Sequence, residues 1–245
     1  MNGSSTYTKS WVIRLIVVNI AVFFIQVITM QIGMGDPPIS ASLLMTEYLG
    51  LKPKLVMEHG YIWQLATYMF LHGGFFHLFL NMYALLIFGM PVEQAWGSRR
   101  FLFYYFFTGI GAGVVIFLIN LKFGGAYSIS TIGASGAVFG LLLAFGMLFP
   151  EAEILLFFLI PMKARLLVIL YGGLELYSLI SSGGHSPISH AGHLGGLFFG
   201  IIYFIIIRKR GITFKSKIIK AKLTREIDRR QQKEPVDDNH EALLR

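Results

Sequence analysis

The chain has 245 residues, 55% hydrophobic and 14% charged, with a mean hydropathy of +0.64. A soluble domain carries roughly a quarter charged residues, so the composition argues against a soluble single domain and for a polytopic membrane protein. Zero cysteines exclude a disulfide framework, Cys-ligated zinc, iron–sulfur chemistry and a thiol nucleophile. The formal net charge of +8 is no nucleic-acid-binding face, because residues 208–245 hold 12 Lys+Arg against 6 Asp+Glu.

Six apolar segments follow in chain order, at about 11–33, 72–91, 101–121, 135–149, 165–181 and 190–207. A spanning helix needs roughly 20 residues, at about 1.5 Å each, to cross about 30 Å of hydrocarbon. The fourth, between Ser135 and Pro150, reaches only about 22 Å on the same rise. It is either tilted or begins below the membrane surface. Non-helical backbone at that depth must line water or be buried in protein, so the stretch holding Gly124, Gly125 and Gly133 is expected to dip into a wet cavity. Ile154–Pro161 is too short to span and lies between Glu151/Glu153 and Lys163/Arg165, which predicts an interfacial connection.

Positive charge sets orientation. Lys9 and Arg14, Arg99 and Arg100, Lys163 and Arg165, and Arg208 to Arg210 all fall on one side if six spans are counted. The other side receives Lys52, Lys54 and Lys122, offset by Asp36, Glu47 and Glu58. Both termini are therefore expected in the cytoplasm. The organisation reads as a cytoplasmic segment 1–10, a six-helix domain 11–207 and a basic tail 208–245 that is partly helical or disordered. Residues 1–10 lack an apolar core and a cleavage site, and no organelle-targeting presequence is read there, so a bacterial plasma (inner) membrane is the default expectation. No internal repeat is visible, which weighs against transporters built from two related halves. The 22 Phe and 11 Tyr are read mostly as lipid-facing or interfacial belt residues.

Polar residues inside spans are costly and mark function by default. Span two opens with His72, Gly73, Gly74, His77 and Asn81; span four with Gly133, Ser135 and Gly136; span six with His190, His193, Gly196 and Gly200. Spans two, four and six all run from outside to inside, so the three clusters share the outer leaflet and suggest one site. His77 and Asn81 are four apart and project from one helix face. Gly136/Gly140 and Gly196/Gly200 are small-residue faces that permit close helix approach. If these faces meet, the Ser135 hydroxyl and the His193 imidazole come within reach, as base-activated nucleophilic catalysis requires. Phe139, one turn beyond Ser135, is placed to pack on the His193 ring. No Asp or Glu lies in the three first turns, so the economical site is a Ser–His pair without a carboxylate. The Ser135 backbone N–H at a helix N-terminus, with His77 and Asn81, can stabilise an oxyanion.

These residues resemble the rhomboid family of intramembrane serine proteases over roughly residues 10–207. The matching elements are His72-x4-His77-x3-Asn81, Gly133-x-Ser135-Gly136 and His193-x2-Gly196-x3-Gly200, with Glu93 and the Gly97-Ser98-Arg99 turn. The resemblance implies a six-helix, all-α rhomboid-like bundle with a membrane-embedded polar cavity. It implies Ser135 as nucleophile, His193 as general base, His77 and Asn81 framing the oxyanion hole, and Phe139 in place of an aromatic residue that stacks on the histidine. Two departures stand out. Trp63 is followed by Gln64 where the family often has Arg, predicting altered stability of the loop after span one. His190 lies one turn before His193 and is a second candidate base, although the Gly196/Gly200 register favours His193.

The expected activity is hydrolysis of a peptide bond at or near the outer end of a substrate transmembrane helix, with partial unwinding of that helix. Span five, or the Ser181–Ser189 loop with Gly183 and Gly184, is the expected gate. Transmembrane protein substrates and the lipid bilayer are the implied partners, with no nucleic acid, metal or other cofactor; the sequence does not read out an oligomeric state. The alternative is a non-catalytic rhomboid-fold binder of transmembrane clients. A metal site built from His72, His77, His190 and His193 explains the histidines but neither Ser135 nor the glycine faces. The Gly-x-Ser-x-Gly elbow of α/β-hydrolases is excluded because Ala137 fills its last position. Glu93 is expected to cap or to pair near Arg99/Arg100, His72 to order the entry of span two, and His59 and His185 to be solvated. Glu175 in span five is a polar intrusion with no assigned role.

Overall fold

A computed structural model describes residues 10–34, 39–123, 127–156, 159–181 and 189–209. The chain divides into two units, Met1–Ile206 and Ile207–Arg245, and the second lies outside the described residues beyond the end of the last helix. Also outside them are residues 1–9, Gly124 and Gly125, and residues 182–188 of the expected gate loop with His185.

Among the described residues, five helices are long and apolar enough to cross a membrane: α1 (Trp11–Thr29), α5 (Phe75–Trp96), α6 (Ser98–Phe123), α8 (Ala164–Ser181) and α9 (His190–Lys209). The expected fourth span is the shorter apolar helix α7, Ser135–Leu148. Between α1 and α5 the chain builds a short hairpin, β1 (Gly33–Met34) with β2 (Ile39–Ser40), and then α2 (Ala41–Leu49), α3 (Pro53–His59) and α4 (Gln64–Thr67). The expected interfacial connection after α7 is a second antiparallel hairpin, β3 (Glu153–Leu156) with β4 (Ile160–Lys163). Glu151 beside it pairs with Lys163 at 2.8 Å and Arg165 at 2.6 Å. The hydrogen bond from Lys163 is the main cause holding that exposed carboxyl below the usual carboxylate range.

The bundle is centred on α7. Ten of its 14 residues are buried, from Gly136 to Gly146, so it needs no lipid-facing surface and can be short. Its length of about 21 Å starts the helix inside the bundle. Small residues on both partners make this burial possible: an added Cβ on Gly140 would strike Thr108 of α6, and one on Gly146 would strike Val168 of α8. The Tyr104 hydroxyl donates to the Gly140 carbonyl at 2.6 Å, tying α6 to α7.

Helix direction then sorts the charges. Ser10 and Trp11 at the start of α1 meet Glu93 near the end of α5, and Ser98 at the start of α6 meets the same carboxylate. Arg14, Arg99, Arg100, Lys163 and Arg165 therefore collect at the end of the bundle away from the first turns of α5, α7 and α9. Glu93 is a cap, the first of the two roles expected of it. It accepts from the Ser10 hydroxyl at 2.6 Å, the Trp11 and Val12 N–H groups at 3.0 and 3.2 Å, and the Ser98 hydroxyl at 2.7 Å. A carboxylate supplied by another helix thus satisfies N–H groups that α1 leaves open.

Candidate active site

Three first turns converge, as the span count predicted. At the start of α5 the Gly73 N–H donates to His77 Nδ1 at 3.3 Å. An accepting Nδ1 leaves the neutral ring's proton on Nε2. That Nε2 lies beside Gly133, where an added Cβ would sit 2.7 Å from it. Gly133 has φ +126, a conformation that L side chains rarely adopt, and its N–H donates to the Tyr68 carbonyl at 2.9 Å. Glycine is thus required twice here, once by the backbone and once by the imidazole against it. The Asn81 side chain is buried and donates to the His77 carbonyl at 2.8 Å, leaving one amide N–H for another acceptor.

Two residues beyond Gly133, Ser135 opens α7, where backbone N–H groups lack intrahelical partners. Next to it, Gly136 meets α9 backbone to backbone: a Cβ on Gly196 would overlap the Gly136 carbonyl oxygen, and one on Gly136 would lie 3.3 Å from the Gly192 carbonyl oxygen. The pairs Ser135–Gly136 and Gly192–His193 are therefore neighbours across the helix interface. The glycine faces are used differently from the expectation, however. Gly136 faces Ala112 and Gly140 faces Thr108, both of α6, and Gly136 also meets Gly196; Gly200 packs on Leu143 and Tyr104. Ser189 caps α9, accepting from the Gly192 and His193 N–H groups at 2.9 and 3.1 Å.

Phe139 stacks on His193 as predicted, with ring centroids 4.2 Å apart and planes within 9°. No hydrogen bond joins Ser135 to His193 among the described residues. Catalytic hydrogen bonds are often long in a free enzyme and tighten with substrate bound.

The group missed in the sequence is Glu175. Its Oε2 lies 2.6 Å from His190 Nδ1 and its Oε1 2.9 Å from His193 Nδ1, with the carboxylate only 13% exposed. The expectation that no carboxylate joins these histidines is thus corrected: the acid arrives from α8, outside the three first turns. Being the only acidic residue of an apolar helix was the signal available. Glu175, His190 and His193 offer donor atoms within 4.8 Å of one another, a spacing that a divalent cation can bridge. His72 and His77 form a separate ring pair at 5.1 Å, so the four-histidine site weighed from the sequence splits in two.

A family model described as Rhomboid domain matches residues 59–210. The chain belongs to the rhomboid family. Among curated proteins it is similar to Rhomboid protease GluP of Bacillus subtilis, 32% identical over 62% of this chain and 27% of that protein. It is 31% identical to Rhomboid protein 1, mitochondrial, of Saccharomyces cerevisiae, over 83% of this chain and 55% of that protein. It is also 33% identical to Inactive RHOMBOID-like protein 8 of Arabidopsis thaliana, over 44% of this chain and 29% of that protein. The chain thus spans about half the length of the yeast relative and about a quarter to a third of the others. With five spanning helices and α7 between them, this rhomboid is an integral multi-pass membrane protein.

In the rhomboid loop after α1, where altered stability was expected from the missing arginine, Gln64 bridges two segments. Gln64 is fully buried; its Oε1 accepts from the Lys52 N–H at 3.0 Å and its Nε2 donates to the Glu47 carbonyl at 2.8 Å. Trp63 adds an indole N–H bond to the Tyr48 carbonyl at 2.9 Å. An amide carries both a donor and an acceptor, so it bridges two segments of the loop. His72 is buried, its N–H donating to Gln26 Oε1 at 3.1 Å across to α1, which fits the ordering role expected of it.

Proposed function

We propose that this rhomboid is an intramembrane serine endopeptidase, cutting peptide bonds in or near transmembrane helices of membrane protein substrates. The observation that carries the reading is the backbone contact of Gly136 with Gly196, with the Phe139 ring stacked on His193. It supports a hydroxyl and an imidazole on adjacent turns of two helices at one end of the bundle. In this reading Ser135 Oγ attacks the scissile carbonyl while His193 takes its proton. The negative oxygen is held by the Ser135 N–H, the His77 Nε2–H and the Asn81 amide. His193 then returns the proton to the departing amine. A water, deprotonated by the same imidazole, cleaves the acyl-enzyme and frees Ser135. Gly133, Gly136, Gly196 and Gly200 support the geometry without touching substrate.

The charged end holding Arg14, Arg99, Arg100, Lys163 and Arg165 is assigned to the cytoplasm, so the site opens toward the outer leaflet and both termini are cytoplasmic. The domain is residues 11–207, in a plasma membrane; recovery of the protein in a mitochondrial membrane fraction would overturn that last assignment. Helix α8 is the proposed gate, since of its side chains only Ala164 and Leu167 are buried. Purified protein with a single-span substrate tests the activity. Native chain should yield two fragments, and Ser135→Ala and His193→Ala should yield none while staying folded. Binding of the substrate by the native chain with no product, unchanged in Ser135→Ala, would select the client-binding reading instead.

A further inference from the structure

We propose that Glu175 is a positioning residue for His193, making the site a three-member Ser–His–Glu arrangement whose carboxylate comes from α8. This rests on the protease reading above. An ionisable group within an apolar span is unfavourable unless it finds partners inside the protein. Its neighbours Leu174, Leu176 and Tyr177 are exposed on the outside of the bundle, whereas Glu175 is turned inward and 13% exposed. It therefore has partners, and they are the two histidines of the first turn of α9.

Each carboxylate oxygen serves one ring. Oε2 makes an aligned contact with His190 Nδ1 at 2.6 Å, and Oε1 lies 2.9 Å from His193 Nδ1 but off the line of the ring N–H. The two rings stand 87° apart in plane, so they grip the carboxylate from two directions. Nδ1 is the nitrogen that matters. A base acting on Ser135 must present an unprotonated Nε2, and a carboxylate at Nδ1 holds the proton on that side of the ring. It also stabilises the imidazolium formed when the serine proton is taken up. Phe139 fixes the plane of the ring and Glu175 fixes its rotation within that plane. His190 in turn aims the carboxylate, the way an outer hydrogen bond orients a reacting group. Because α8 carries neither Ser135 nor His193, the arrangement is complete only while α8 is packed against α9.

The test compares native chain, Glu175→Gln, Glu175→Ala and His190→Ala, with Ser135→Ala as reference. It measures kcat and KM on a single-span substrate, and imidazole ¹⁵N signals of His193 in the Ser135→Ala background. Glu175→Ala should lower kcat on the order of 10²-fold with KM within about twofold, and should shift His193 from the Nδ1–H form toward a mixture of tautomers. Glu175→Gln, which keeps the shape and one acceptor oxygen, should fold as native and lose on the order of 10-fold in kcat. His190→Ala should fall between them. Native kcat in both Glu175 variants would overturn the inference, and so would a loss of kcat with an unchanged His193 signal, which marks a packing role alone. Activity abolished by chelator and restored by zinc would also overturn it, since the three residues would then be ligands. If Ser135→Ala still cuts, the protease reading itself fails; if Ser135→Ala is dead and both Glu175 variants are native-like, only the role of Glu175 fails.

Discussion

Replacing Gly196 with alanine puts a methyl group where the Gly136 carbonyl oxygen sits, and the obstruction is backbone that no rotamer change can clear. An ordinary carbon–oxygen approach is about 3.3 Å, so α7 and α9 must part by on the order of 1 Å at this level. A displacement of that size at reacting atoms costs about 10²-fold in rate, and overpacking costs about 1–3 kcal/mol of stability. Gly173 in α8 is the control, since an added Cβ there meets nothing within 4 Å and alanine is the better helix former by about 1 kcal/mol. Initial rates on a single-span substrate and thermal unfolding in detergent read both effects. Gly196→Ala should lose about 10²-fold in rate and unfold at lower temperature, whereas Gly173→Ala should keep both. A Gly196→Ala protein that cuts within twofold of the native rate at an unchanged unfolding temperature would refute the claim that this contact sets the distance between Ser135 and His193.

Three further outcomes are expected. Glu93→Ala removes three hydrogen bonds at the start of α1 and one at the start of α6 and should cost about 2–4 kcal/mol in unfolding measurements, with cleavage retained well below the unfolding temperature. Gln64→Ala leaves the Lys52 N–H and the Glu47 carbonyl without their partner and should cost about 1–3 kcal/mol, read as faster proteolysis of the loop between α1 and α5. His77→Ala removes the Nε2–H donor beside Gly133 and should lower kcat about 10²–10³-fold while leaving substrate affinity near native.

The spans and the shared depth of three polar clusters were legible in the sequence because each depends on near-local signals: apolar length, the side carrying Arg and Lys, and four-residue spacing. The stacking of Phe139 on His193 followed from the same periodicity. What was not legible depends on which helix lies beside which. Glu93 was expected to cap or to pair near Arg99 and Arg100, but which helix it caps was hidden, because its donors come largely from Ser10, Trp11 and Val12, about 80 residues away. Glu175 had no visible partner because α8 meets α9 across the end of the bundle. Gly140 read as part of an α7–α9 face, but its spacing is equally suited to α6, and Thr108 occupies that side. Gln64 was read only as a missing arginine; that its amide bridges Lys52 and Glu47 depends on how the loop folds back on itself.

The most direct measurement is the site of covalent capture by a fluorophosphonate, which reacts with an activated serine hydroxyl. Intact-mass and peptide analysis of the detergent-solubilised protein should find a single adduct on Ser135, formed at a rate that collapses in His193→Ala. An adduct on another residue, or capture of Ser135 at the same rate without His193, would contradict the account.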